Sequence, residues 1–128
     1  MNYPENYKYS KEHEWAEAIS DTRVRIGVTH HAQSSLGDIV YLELPKVGRE
    51  LKAGETFGVI ESIKAVSDLY CPISGKVVES NGPLCDDPVK VNDNAHGEWM
   101  IVVEASDARA QVAGLMNAAA YGELVKGL

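Results

Sequence analysis

The sequence predicts a mainly β fold: a sandwich or flattened barrel of two antiparallel sheets, with short helices at its edges and a helical segment near the C-terminus. Three observations lead there. Short runs rich in Val and Ile recur between turn signals, several of them alternate apolar with polar residues, and the one helical stripe with no opposing residues follows Ser106. At 128 residues, with 45% hydrophobic and 24% charged residues, the chain is expected to form one domain, 1–128, with a modest core.

From the N-terminus, Trp15 to Thr29 predicts two short strands around Ser20-Asp21-Thr22, because Val24, Ile26 and Val28 alternate with Arg23, Arg25 and Gly27. His30 to Leu36 predicts two turns of helix, with Thr29 as N-cap and Gly37 as stop. Asp38 to Leu44 returns to strand, placing Val40, Leu42 and Leu44 on one face before Pro45 and Gly48 end it. Asn81-Gly82-Pro83 marks a turn, Cys85 to Pro88 a loop, and Asn92 to Gly97 a polar connection that leaves His96 exposed. Trp99, Ile101 and Val103 alternate in a last strand. The helical segment covers about 106–126: Val112, Leu115, Met116 and Ala119 share one face, with Tyr121 to Lys126 as a short second helix. Met116 is expected to fill core there.

Between these elements lies Glu61-Ser62-Ile63-Lys64-Ala65-Val66-Ser67-Asp68, with Lys64 ten residues after Gly54 and eleven before Gly75. The near-equal arms predict a hairpin over about 56–78 with Lys64 at its tip. Val59, Ile63, Val66 and Tyr70 also match a helical stripe, but Gly58 and the β-branched residues oppose a helix. A bend is required, yet its middle contains no Gly, Pro or Asn. Such a conflict between local signal and required geometry marks a candidate functional site.

These residues resemble a known family. Glu-Ser-Ile-Lys-Ala, then Ser-Asp, then Pro72 to Glu79, is similar to the lipoyl-lysine hairpin of glycine cleavage system H proteins. Tyr9 to Trp15, Ile26 to Thr29, His31-Ala32-Gln33, Leu36 to Val40, Glu43-Leu44-Pro45 and Gly97 to Met100 follow the family's other segments in order, over nearly the whole chain. Biotin carriers share a related hairpin, but their lysine usually lies between two methionines, where this chain has Ile63 and Ala65. The resemblance implies the barrel-sandwich hybrid of lipoyl domains.

It also implies a non-catalytic carrier, with lipoate amide-linked to Lys64. Its partners would be a pyridoxal-phosphate glycine decarboxylase that loads the aminomethyl group, a tetrahydrofolate-dependent aminomethyltransferase, an FAD-containing dihydrolipoyl dehydrogenase, and the lipoylating enzymes. Glu14 and Asp68 match acidic positions that line the family's arm-docking cleft, and are expected to serve the arm rather than the fold. A lipoyl relay, donating lipoyl groups to other enzymes, is the alternative. The chain departs from many members at His30, Ser35, Cys85 and Lys90.

Composition narrows the classes. A formal charge of −7 argues against nucleic acid, whose phosphates need clustered Lys and Arg. No apolar run approaches the ~18 residues of a membrane span. The N-terminus shows no targeting pattern, so a monomer in the cytoplasm is expected, or in the mitochondrial matrix if a transit peptide has been removed. Cys71 and Cys85 are expected to be free thiols. No metal set, phosphate loop or nucleophile-base pair is formed, and adjacent His30 and His31 make a poor chelating pair.

Overall fold

The computed structural model describes residues 3–128. Its strands are β1 (Lys8–Tyr9), β2 (Glu14–Ala18), β3 (Arg23–Val28), β4 (Ile39–Glu43), β5 (Glu50–Leu51), β6 (Thr56–Ser62), β7 (Val66–Tyr70), β8 (Gly75–Ser80) and β9 (Ile101–Glu104). The helices are α1 (His30–Leu36), α2 (Gly82–Asp86), α3 (Lys90–Asp93), α4 (Ala108–Ala113) and α5 (Ala118–Lys126). Six strands form one antiparallel sheet in the order β1-β2-β3-β9-β8-β5, and three form the other in the order β4-β6-β7. This is the mainly β, two-sheet architecture expected.

The strands form where β-branched residues can bury one face. Val24, Ile26 and Val28 of β3, Val77 of β8 and Ile101 and Val103 of β9 pack against Leu42, Phe57, Ile60 and Leu69 of the smaller sheet. A second cluster of Tyr9, Trp15 and Tyr121 sits under α5, with Tyr9 and Tyr121 stacked at 4.8 Å. Burying these aromatic rings fixes the C-terminal segment onto the N-terminal strands.

α1 has the caps expected: the Thr29 hydroxyl accepts from the Ala32 amide, and Gly37 takes the left-handed φ of 84° that glycine favours. Other expectations are corrected. The hairpin is shorter than 56–78, because β7 ends at Tyr70, Cys71-Pro72 follows, and β8 joins the larger sheet between β9 and β5. Val40 does not share a buried face with Leu42. A bulge between Ile39 and Tyr41 shifts the pairing with β6 and leaves Val40 exposed. The single stripe from Val112 to Ala119 is broken. α4 stops at Gly114, Leu115 and Met116 lie in the link, and Asn117 caps α5 afresh through the Ala120 amide. The turn and loop after Asn81 contain two short helices, α2 and α3.

Both cysteines are free thiols, Cys71 fully buried and Cys85 partly exposed on α2. Burial pushes the Cys71 thiol up to about 12 and raises that of Cys85. Alkylation of the folded protein is therefore expected to modify Cys85 first, and Cys71 only after denaturation. Peptide mass mapping over time checks this; equal labelling of both in the native state contradicts it.

Candidate functional site at the Lys64 turn and the Glu14 cavity

The bend that lacks Gly, Pro and Asn is made by Ser62. Its hydroxyl accepts from the amides of Ala65 (3.1 Å) and Lys64 (3.3 Å), and its own amide donates to the Ala65 carbonyl at 2.8 Å. A serine side chain thus replaces the backbone acceptors that a tighter turn would supply. The turn is also tied outward, because the Ile63 amide donates to the Asp38 carbonyl at 3.2 Å. A methyl group added at Gly37 would stand 3.7 Å from Cε of Lys64, so the lysine stem passes over the end of α1. Lys64 is exposed and takes part in none of the ion pairs among the described residues. Ile63 and Val66 flank it at 76% and 67% exposure.

Glu14 lies in a different setting. It opens β2 at 2% exposure, after a tight turn in which His13 holds a left-handed φ of 70°. The Ser10 hydroxyl donates to Oε1 at 2.7 Å, and the Tyr70 amide donates to Oε2 at 3.3 Å. Because β2 and β7 belong to different sheets, Glu14 links the two. Burial drives its carboxyl up to about 8, against the opposing pull of the Ser10 and Tyr70 hydrogen bonds.

Glu14 lines a cavity of about 270 Å³, walled also by Tyr70, Pro72, Gly54, Leu115 and Met116. Met116 is placed there by its backbone pairing with Tyr9, through bonds of 2.8 and 3.0 Å. The cavity therefore combines an acidic group of raised pKa with an apolar wall from the C-terminal link. It suits a slender, partly apolar chain ending in a polar or cationic group.

Asp68 is exposed on β7, opposite Val59, and is outside the cavity lining. The structure thus separates the two acids: Glu14 is buried at the cavity, and Asp68 stands on the strand between it and the Lys64 turn. His96 is not the exposed loop residue expected. Its Nε2 accepts from the His30 amide at 3.0 Å, its ring packs on Tyr3 at 5.6 Å, and burial lowers its pKa. His31 packs beside His13 at 4.6 Å rather than pairing with His30, and His13 Nδ1 lies 2.7 Å from the Tyr121 hydroxyl. Among the described residues no three His, Cys, Asp or Glu side chains are placed to hold a metal ion, and no helix is long and apolar enough to cross a membrane.

The model of the glycine cleavage H-protein family matches residues 7–127, a span that contains both the Lys64 turn and the Glu14 cavity. The chain belongs to that family. It is 54% identical over 126 residues to the glycine cleavage system H protein of Myxococcus xanthus, covering 98% of this chain and 96% of the relative. It is 51% identical over 127 residues to that of Bacillus subtilis, covering 98% of each. A crystal structure of a glycine cleavage system H protein from Mycobacterium marinum superposes with a TM-score of 0.87 at 37% identity, covering 98% of this chain and all of that one. The two-sheet architecture is thus that of an H protein, the carrier component of a multienzyme system.

Sequence reasoning singled out Lys64, Glu14 and Asp68, but not the contacts made by Ser62, Tyr70 and Met116. A serine directly before a bend without turn residues is a signal that could have pointed to Ser62. Tyr70 acts through its backbone amide and Met116 through a long-range bridge, neither of which leaves a local trace.

Proposed function

We propose that the chain carries lipoate, amide-linked to Nζ of Lys64, and acts as the mobile carrier of glycine cleavage among the decarboxylase, the aminomethyltransferase and dihydrolipoyl dehydrogenase. The observation that carries this reading is the exposed Lys64 on a side-chain-stabilised turn, in a chain of this family. When bound, the lipoyl group would supply a redox-active dithiolane as the acceptor of the aminomethyl unit. The rest is done by this chain's own residues. The Ser62 clasp holds the Lys64 amine out from the sheet, where a partner's cleft can close around it. Glu14 offers carboxylate oxygens to a cationic amine at the cavity wall, and such a cation favours its ionised form. Leu115, Met116 and Pro72 exclude water from that end of the cavity. Asp68 adds negative charge along the strand between the two.

The test is exchange of labelled bicarbonate into glycine with purified decarboxylase, comparing lipoylated with unmodified protein. Exchange is expected only with the lipoylated form. Absence of exchange, together with passage of the lipoyl group to an acceptor domain when a transferase is supplied, would instead establish a relay.

A further inference from the structure

The turn that presents Lys64 is held from two sides, by residues far apart in sequence. From within, the Ser62 hydroxyl clasps the Lys64 and Ala65 amides. From outside, the Asp38 carbonyl takes the Ile63 amide. Asp38 stands in the short connection between α1 and β4, and that connection is held by one side chain of α3. Asn92 Oδ1 accepts from the Ile39 amide at 2.8 Å, while Nδ2 donates to the Gly37 carbonyl at 2.8 Å and to Gln33 Oε1 at 3.0 Å. Its amide group thus grips the residue before Asp38, the residue after it, and the buried Gln33 side chain of α1. An asparagine with both donors and its acceptor engaged has one orientation open to it.

We propose that Ser62 and Asn92 are positioning residues that fix the Lys64 turn for enzymatic acylation. The proposal rests on Lys64 being the attachment site. In that reaction Nζ attacks the carbonyl carbon of an activated lipoyl group, an acyl adenylate, so that the C–N bond forms, the C–O bond to adenylate breaks and the amine proton passes to solvent. An enzyme that binds the acyl donor must receive the amine at one place and angle, and rate falls steeply when a nucleophile wanders from it. A free reagent in solution makes no such demand. The two residues therefore matter to an enzyme and not to the intrinsic reactivity of the amine.

That difference gives the test. Wild type, Ser62→Ala, Ser62→Thr and Asn92→Asp are offered to a lipoate-protein ligase with lipoate and ATP, and uptake at Lys64 is followed by intact mass and peptide mapping. In parallel, each is treated with an activated ester of lipoic acid and the initial rate at Lys64 is mapped. Ser62→Ala and Asn92→Asp are expected to lose about tenfold in enzymatic kcat/KM, with chemical acylation unchanged. Ser62→Thr, which keeps the hydroxyl, is expected to recover most of the enzymatic rate. Faster exchange of the Lys64 and Ala65 amides with deuterium in Ser62→Ala would accompany the loss. Enzymatic uptake by Ser62→Ala equal to wild type overturns the positioning role. Wild type that takes up lipoate elsewhere or not at all overturns the attachment site itself. Ser62→Ala removes one hydroxyl, with its acceptor role toward the Lys64 and Ala65 amides and its long 3.4 Å donation to the Ala65 carbonyl, and leaves the Asn92 contacts untouched, so it keeps the test valid should Asn92→Asp fold poorly.

Discussion

Arginine in place of Lys64 is expected to abolish lipoyl uptake completely while leaving the fold intact. Guanidinium keeps the positive charge and the long stem, but it stays protonated at any accessible pH and is not an acyl acceptor. Lys64 is exposed and its stem runs past Gly37, so stability should change by no more than about 0.5 kcal/mol. Intact mass of protein from lipoate-competent cells should show one adduct in wild type and none in Lys64→Arg, with matching thermal melts. An adduct on Lys52, Lys76 or any other lysine in the variant would overturn Lys64 as the sole site.

The second large effect concerns Glu14 and runs through pH. Its carboxyl, ordinarily near 4.5, is pushed to about 8 in the folded protein, chiefly by burial. The native state therefore keeps a proton that the unfolded chain gives up between those two values. The stability this proton confers is present in full below about pH 4.5 and is lost as pH rises through about 8. Glu14→Gln has no proton to lose. Its amide can still accept from the Tyr70 amide and donate to the Ser10 hydroxyl. It is expected to melt with wild type near pH 5 and to exceed it above pH 8 by roughly 3–5 kcal/mol. Glu14→Ala is expected to be less stable by about 1–3 kcal/mol even at pH 5, because the Tyr70 amide and Ser10 hydroxyl lose their acceptor. Calorimetric melts from pH 5 to 9 decide. If the wild-type and Glu14→Gln curves run parallel across that range, the buried carboxyl is not the titrating group. The expectation that Glu14 serves only an arm is thereby widened, since it also ties the sheets together.

Much of the fold was legible because its signals were local. The alternation in β3 and the caps of α1 stand in the sequence itself, each within a few residues of what it controls. The bend around Lys64 was legible too, since the strand-like runs on either side of it, β6 and β7, can be read without tertiary information. What escaped depended on distant partners. The Ile39–Tyr41 bulge exists because β4 must pair with β6, and Gly58 allows their close approach: a Cβ there would collide with the Glu43 carbonyl. The short helices α2 and α3 have four or five residues each, too few for a periodic pattern to register. At the site, the acidity of Glu14 was legible but its burial was not. Burial comes from Tyr70, Cys71 and the link at Leu115 and Met116, which reach it from other parts of the chain. His96 was misplaced for the same reason, since its partners are His30 and Tyr3.

The hairpin strand β7 begins beside the lysine turn and ends at Tyr70, whose amide touches Glu14. From Val66 to Tyr70 is four steps, about 13 Å of extended chain at ~3.3 Å per residue. That strand is a ruler. On the proposed function, it sets the gap between the lysine that roots the arm and the cavity that shelters its end, and it does so by residue count. One residue more or fewer would move the root by a full step. It would also turn the amide now facing Glu14 toward the opposite edge. The core holds the Leu69 side chain of β7 in place; the spacing holds its length.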